Sequence, residues 1–510
     1  MLLRIRSRFL LGWLLVWSLA AMSFASPGSA RAESPEEWYR QGQLAVQKAQ
    51  RLNNNNRVAK NVIIFIGDGM NIPTVSAARI LEGQTLGKKG EEHVLSFEKL
   101  THVALSKTYC TNAQVTDSAA AMTAIITGVK TKDGMLSVNQ DVTPHKASTV
   151  PGNELMTLFE KAEARRLSTG VVSTTRITHA TPAACYAHTP DRDWECDANI
   201  SDIDADPANA QFPDIARQLI EFPYGNGLEV ALGGGRAYFQ PKTTADPEYA
   251  GKFGKRNDGR DLTNEWVTKY PGGAYVWNKA QFDAVDPATT THLLGLFEQS
   301  HMRYEKDRAN DGAGEPSLSE MTAKAIDILS KNRRGYVLMV EGGRIDHAHH
   351  ENSAYHALND TVEFAKAVEV GMTKTNPRDT LIVVTADHGH VMCFTGYPTR
   401  GNPILGKVVE NDYWGEPTSN LTLGSDGLPF TTLLYGNGPG YKNPREDLAA
   451  IDTTAPTYKQ QSAVPWCSDG HSGEDMPIYA GGPGANLFHG VQEENYIFHA
   501  IVEAMKLKQR

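Results

Sequence analysis

Residues 61–69 read Asn61-Val62-Ile63-Ile64-Phe65-Ile66-Gly67-Asp68-Gly69. The run from Val62 to Ile66 is apolar at every position, lacks polar/apolar alternation and stops at a Gly-Asp-Gly turn. A segment this short and apolar on both sides suits a parallel strand covered on both faces. Similar runs recur at 170–173, 228–232, 336–340 and 380–384, with helical stretches between them at 154–166, 319–330 and 352–370. This alternation predicts an α/β fold, a three-layer sandwich around a large, mainly parallel central sheet. Ligands of such sheets sit beyond the carboxyl ends of the strands. Asp68 follows the first run, Glu341 the fourth and Asp387-His388 the fifth, so acidic and imidazole groups gather at one topological edge.

The chain has 510 residues, of which 40% are hydrophobic and 21% charged, and this excludes a disordered or collagen-like chain. Its net charge is −9 with no block of Lys or Arg, so no nucleic-acid-binding surface is expected. Arg4, Arg6 and Arg8 precede an apolar run from Phe9 to Ala21, and Ala30-Arg31-Ala32 has the small-x-small form of a cleavage site. Residues 1–32 therefore read as a secretory signal peptide, with Ala25 as the alternative cleavage point. Cleavage after Ala32 removes four arginines and no acid, taking the net charge from −9 to −13. No other run approaches the ~20 apolar residues of a membrane span. The last residues, up to Arg510, are polar, so the expected product is secreted or periplasmic with no membrane anchor. Five cysteines remain, and Cys185–Cys196 and Cys393–Cys467 are conceivable pairs.

Ser34-Pro35-Glu36-Glu37 caps an amphipathic helix over 34–52. The body of the protein follows, over 53–510. Two stretches break the strand–helix alternation, 238–293 and 389–470. Structureless loops of such length are uncommon, so both read as folded insertions.

Six clusters carry chemistry. In Glu341-Gly-Gly-Arg-Ile-Asp346-His347-Ala-His349-His350, Asp346 and His350 are spaced to share one helical face if a helix begins near Asp346, and carboxylate plus imidazole is a zinc-binding pair. Thr385-Ala-Asp387-His388-Gly389-His390 leaves the sheet at its ligand edge. Asp68 in Gly67-Asp68-Gly69-Met70 can bridge two metals. Ser118 in Thr116-Asp117-Ser118-Ala-Ala-Ala opens an Ala-rich helix, whose positive end favours an alkoxide and a phosphate. Arg192, in His188-Thr-Pro-Asp-Arg192, offers a planar fork for phosphate oxygens, and it follows Thr175-Arg-Ile-Thr-His179-Ala-Thr181-Pro. His471 in His471-Ser-Gly-Glu-Asp-Met-Pro can supply a last ligand. Each cluster has a bland alternative, a helix cap, a polar turn or a surface ion pair. Together they hold the parts of a two-zinc phosphoryl-transfer site with a serine nucleophile.

The ordered series GDGM, TDSAAA, TTRITHATPA, EGGRIDHAHH, TADHGH and HSGEDMPIYAGGP resembles alkaline phosphatase, its animal-type branch more than its enteric bacterial branch. The likeness extends to Leu434–Tyr441 and His489–Glu493 and spans nearly the whole of the expected mature chain. The resemblance implies hydrolysis of phosphate monoesters at alkaline pH through a phosphoserine on Ser118, with an in-line two-zinc mechanism. It implies a first zinc on Asp346, His350 and His471, and a second on Asp68, Asp387 and His388. Magnesium would be held by Asp68, Thr181 and Glu341, and phosphate would be clamped by Arg192. His179 and His347 stand where the enteric branch has Asp and Lys; the animal type has His at both, near the magnesium and the phosphate, which should weaken the grip on phosphate. A calcium ion is implied on Glu248, the Phe297 carbonyl, Glu298 and Glu315, the last being Asp in the relatives. The resemblance also implies a homodimer, with the helix at 34–52 as an arm and 389–470 as a crown-like insertion. The Cys/Ser-x-Pro-x-Arg segment of sulfatases is absent at Ser118, and diesterases on this scaffold usually use Thr there.

Overall fold

The run at 61–66 forms strand β1 (Asn61–Ile66) in the computed structural model, which describes residues 35–52, 54–200 and 206–507. The other strands are β2 (His102–Lys107), β3 (Ser168–Arg176), β4 (Val230–Gly234), β5 (Ala274–Val276), β6 (Leu293–Leu296), β7 (Tyr336–Glu341) and β8 (Thr380–Thr385). After these come β9 (Gly389–His390), β10 (Met392–Phe394), β11 (Leu433–Gly438), β12 (Ser462–Pro465), β13 (His471–Ser472), β14 (Met476–Gly481) and β15 (Val491–Glu493). One ten-stranded sheet runs β15-β2-β14-β8-β1-β7-β3-β4-β6-β5. From β8 to β5 every pairing is parallel, whereas β14 is antiparallel to both β2 and β8. All five apolar runs picked out in the sequence lie in the parallel part.

β1 shows why the sandwich has three layers. Val62, Ile64 and Ile66 join a core with Met122, Phe159 and Ile497, from helices Ser118–Thr127, Leu158–Ala164 and Tyr496–Met505. Ile63 and Phe65 point the other way, into a core with Met321 and Phe364 from helices Leu318–Leu329 and Ala354–Lys374. All five side chains are fully buried, each contributing about 1.5–3 kcal/mol of hydrophobic stabilisation.

One expectation needs correction. The stretch 238–293 is not wholly set apart from the alternation: β5 joins the main sheet as its edge strand, parallel to β6. A helix does begin near Asp346: it spans Arg344–His350 and carries both Asp346 and His350. The segment 389–470 leaves the main sheet and builds a small sheet, β10-β11-β12, while β9 pairs with β13. The helix expected at 34–52 spans Pro35–Gln50 in a separate unit. Its cap Ser34, the signal segment 1–32 and Arg510 lie outside the described residues. Among the described residues no helix is long and apolar enough to cross a membrane. Both conceivable disulfides are absent: Cys110, Cys185 and Cys196 are buried, Cys393 and Cys467 are exposed, and all five thiols are free.

One buried polar pair gives the fold a pH-dependent stability. Glu163 accepts the Thr169 hydroxyl at 2.8 Å, and its other oxygen is buried without a partner. Burial and the neighbouring Glu229 carboxylate push Glu163 from about 4.5 up to about 9. The folded protein therefore keeps a proton that the unfolded chain releases near 4.5. This stabilisation is complete below that value and fades as pH rises towards 9. Melting temperatures of wild type and Glu163→Gln from pH 5 to 9 check this: the variant should show the shallower decline, and parallel curves would refute it.

Candidate active site

The carboxyl ends of β1, β7 and β8 bring Asp68, Glu341 and Asp387 to one edge of the sheet. β1 lies between the other two strands, so Asp68 meets Glu341 and Asp387 although it lies more than 250 residues before either in the chain. The turn after β1 depends on Gly69, which has φ +68°, and a Cβ there would come within 2.5 Å of the His390 ring.

Two histidines show most plainly that the site is built for a cation. The Nδ1–H of His350 donates to the Asp469 carbonyl at 2.6 Å, and the Nδ1–H of His471 donates to the Thr116 carbonyl at 2.9 Å. These bonds fix both tautomers, so each Nε2 carries a lone pair. The two Nε2 atoms face each other at 3.3 Å, and they lie 3.3 and 3.4 Å from Asp346 Oδ1. Two lone pairs and a carboxylate oxygen in such proximity repel unless a cation sits among them. Asp346, His350, His390 and His471 can all direct a ligand atom at one point.

The second convergence is equally unsatisfied. Asp68 is fully buried, and neither carboxylate oxygen has a hydrogen-bond partner. Its oxygen Oδ1 lies 3.3 Å from His388 Nε2, and Asp387 Oδ2 lies 3.4 Å from the same nitrogen. Asp387 Oδ1 is held by the backbone N–H groups of Gly69 and His388 at 3.2 and 3.0 Å, leaving Oδ2 free to ligate. Burial and the nearby carboxylates of Asp387, Asp346 and Glu341 push Asp68 well above the carboxylate range; burial and Asp346 push Asp387 up to about 6.

A third group lies alongside. Glu341 accepts from the hydroxyls of Ser173 and Thr175, while its Oε1 and the Thr181 hydroxyl are buried without partners. Asp68, Glu341 and His179 can point ligand atoms at a common position. Burial raises Glu341 to about 7.

The hydroxyl faces these groups. Ser118 is the first residue of helix Ser118–Thr127, 3% exposed, with its Oγ 3.1 Å from His388 Nε2. The helix cap is Asp117, whose Oδ1 accepts from Ala120 N–H at 3.0 Å. The serine side chain is thus free of the capping role and stands at the positive helix end. The other Asp117 oxygen accepts from Arg192 Nη1 at 3.0 Å, and Arg192 Nη2 donates to His179 Nε2 at 3.2 Å. One carboxylate therefore sets both the helix start and the guanidinium. The rings of His179 and His347 are 5.5 Å apart, and His347 Nδ1 accepts from Arg344 at 2.9 Å.

Asp117 and Arg192 form a unit that sequence reading missed, as do His390 and Asp469. His390 is fully buried, with Nε2 2.7 Å from Asp346 Oδ1 and Nδ1 2.8 Å from Asp469 Oδ2. Its place in Asp387-His-Gly-His390 was the available signal; nothing near Asp469 gave one.

Of the residues expected to hold calcium, Glu298 acts electrostatically on both Glu248 and Glu315. Glu298 accepts from Tyr249 Oη at 2.8 Å and pairs with Arg303 at 3.3 Å. Burial and neighbouring acids raise Glu248 to about 7 and Glu315 to about 9. Asp311, which the sequence reading passed over, acts on both, and its two oxygens are buried without hydrogen bonds. The Phe297 side chain is fully buried just beyond β6.

Comparison with known proteins identifies the family. The family model for alkaline phosphatase matches residues 59–507. The chain is 46% identical over 498 residues to the tissue-nonspecific alkaline phosphatase isozyme of Gallus gallus, covering 95% of this chain and 92% of that one. It is 45% identical over 487 residues to alkaline phosphatase of Gadus morhua, covering 93% and 98%. Among solved structures, alkaline phosphatase from Thermus thermophilus superposes with a TM-score of 0.63 at 27% identity, over 91% of this chain and 94% of that one. The enzyme from the Antarctic bacterium TAB5, at 22% identity and a TM-score of 0.59, shares the fold over 89% of this chain and all of that one. With the family model matching residues 59–507 and relatives 45–46% identical over more than nine-tenths of the chain, the chain belongs to the alkaline phosphatase family and hydrolyses phosphate monoesters.

Proposed function

We propose that Ser118 attacks the phosphorus of a monoester held by Arg192, and that the phosphoserine so formed is then hydrolysed by water. The observation that carries this reading is the pair of facing lone pairs on His350 and His471, 3.3 Å apart beside Asp346. The donors fit two zinc ions, one on Asp346, His350 and His471 and one on Asp68, Asp387 and His388. The oxygen set of Asp68, Thr181 and Glu341 suits magnesium, and that of Glu248, Phe297, Glu298 and Glu315, with Asp311 added, suits calcium. Zinc, when bound, lowers the pKa of a hydroxyl and of water and neutralises charge on the attacking and leaving oxygens.

The protein's own groups do the rest. Ser118 is aligned by its helix, whose first N–H groups face incoming phosphate. Arg192, held by Asp117, meets the equatorial oxygens, where charge builds up. His179 and His347 stand beside this clamp as neutral rings, in keeping with a modest hold on product. Asp469 and His390 keep Asp346 oriented. Little of the substrate beyond its phosphate is needed for these contacts, so the activity is a broad monoesterase, rising into alkaline pH. Rates on p-nitrophenyl phosphate and on its bis-ester test the assignment: the monoester should be turned over at least about 100-fold faster. Preference for the bis-ester would favour a phosphodiesterase.

The N-terminal segment supports export of the chain to the periplasm or the medium. We also propose a homodimer mediated by the helix Pro35–Gln50 and the segment 389–470. Exposed aromatic side chains mark both: Trp38 and Tyr39 on the helix, and Tyr397, Tyr413 and Trp414 on the segment. Light scattering on protein lacking 33–52 should show a shift towards monomer, and an unchanged dimer would refute the helix's part.

A further inference from the structure

A cavity of about 420 Å³ opens beside the phosphate clamp, and its walls include His301, Arg344, Tyr304 and Lys252. Nothing in the reaction above uses it. A row of contacts links it to the active site. Arg192 donates to His179, the His179 ring lies 5.2 Å from that of His301, and the His301 ring lies 4.3 Å from that of His347.

The three imidazoles could be read as a cation site, since each can point a nitrogen at one position. Their surroundings argue otherwise. Every ring takes an N–H from an arginine: His179 from Arg192, His301 from Arg176 and His347 from Arg344. Arg192 is paired with Asp117 and Arg176 with Glu195, so the charge left over beside these rings is that of Arg344, which repels a cation and attracts an anion.

Arg344 carries the charge that nothing pairs with among the described residues. Its guanidinium stacks 3.9 Å over the Tyr304 ring and donates to His347, its Nε is buried without a partner, and among the described residues it has no ion pair. Lys252, exposed at the rim, likewise has no ion pair among the described residues. The two carboxylates of the wall are already engaged. Glu298 is bonded to Tyr249 and Arg303, and Asp307 lies 3.2 Å from His356. The cavity thus presents two cations that have no ion pair among the described residues, Arg344 lying within electrostatic reach of the buried Asp360, and an aromatic floor next to the place where the reacting phosphate is held. An arginine with its fork open to a cavity is a recognition group for phosphate or carboxylate.

We propose that this cavity is a subsite for a second anionic group on the substrate, so that the enzyme favours monoesters whose alcohol carries another phosphate a few bonds away. This rests on the phosphatase reading and adds to it a substrate class. Arg344 and Lys252 bind the distal group, and Tyr304 and His301 shape the wall between it and the reacting phosphate.

The test compares kcat/KM on fructose 1,6-bisphosphate and fructose 6-phosphate for wild type, Arg344→Gln and Lys252→Glu. Wild type should prefer the bisphosphate beyond the statistical effect of having two esters. Each variant should lose about tenfold or more of that preference. If Arg344→Gln fails to fold, Lys252→Glu, a change at the exposed rim, carries the test alone. A bisphosphate preference that is absent in wild type, or unchanged in the folded variants, would overturn the subsite. Absence of turnover of both sugars by the zinc-loaded wild type would instead count against the phosphatase reading.

Discussion

Replacing Ser118 by alanine is expected to cut turnover of p-nitrophenyl phosphate by about four orders of magnitude or more. The same variant should keep its zinc. The expectation follows from a division of labour in the site. Ser118 Oγ contacts His388 Nε2 at 3.1 Å, but the groups that call for cations belong to other residues: Asp68, Asp346, Asp387, His350, His388 and His471. Deleting one hydroxyl removes the attacking atom and leaves those groups in place. Because Asp117, not Ser118, caps the helix, the substitution should also spare the helix start, so folding is not the confounding variable. Metal analysis beside steady-state kinetics decides the matter. A variant that retains zinc and more than about 1% of the activity would show that another group performs the attack.

Stripping the metals is expected to have the other large effect. Asp68, Asp346, Asp387 and Glu341 are buried at one edge of the sheet, and without cations their charges oppose each other in a medium that screens poorly. Binding energy at such sites is also folding energy. Chelation should therefore abolish activity and lower the melting temperature by about 10 °C or more. Acid should assist the chelator. With no ion bound, burial pushes Asp387 up to about 6 and Glu341 up to about 7. Protons compete for these ligands below those values and are displaced by metal above them. Calorimetry with and without chelator at pH 5 and 8 measures both effects. A melting temperature indifferent to metal would contradict the reading of these carboxylates as ligands.

The parallel half of the sheet was legible in sequence because its strands are buried on both faces, and that burial demands uninterrupted apolar runs such as 61–66 and 380–385. β2 reads His102-Val-Ala-Leu-Ser-Lys107 and is only partly buried, so it carried no such run. β5, β6 and β15 have four residues or fewer, too few for a pattern to emerge. β14 has six, but it includes a proline and a terminal glycine and runs antiparallel between β2 and β8, which no local pattern announced.

At the site the same distinction holds. The sequence alone determined that carboxylates and imidazoles follow successive buried strands and that a serine opens an apolar helix. Strand order and helix polarity then force those groups to a single edge. Only the tertiary structure decided how they are oriented. Asp469 reaches His390 across 79 residues and His390 reaches Asp346 across 44; Asp117 fixes Arg192 across 75. It also placed Asp311 among the acids near Glu248 and left Arg344 without an ion pair among the described residues, beside an open cavity. A strand's burial is written in its own residues, because water is excluded from each of them in turn. A hydrogen bond between distant segments depends on where both backbones finally lie, and neither segment carries that information alone.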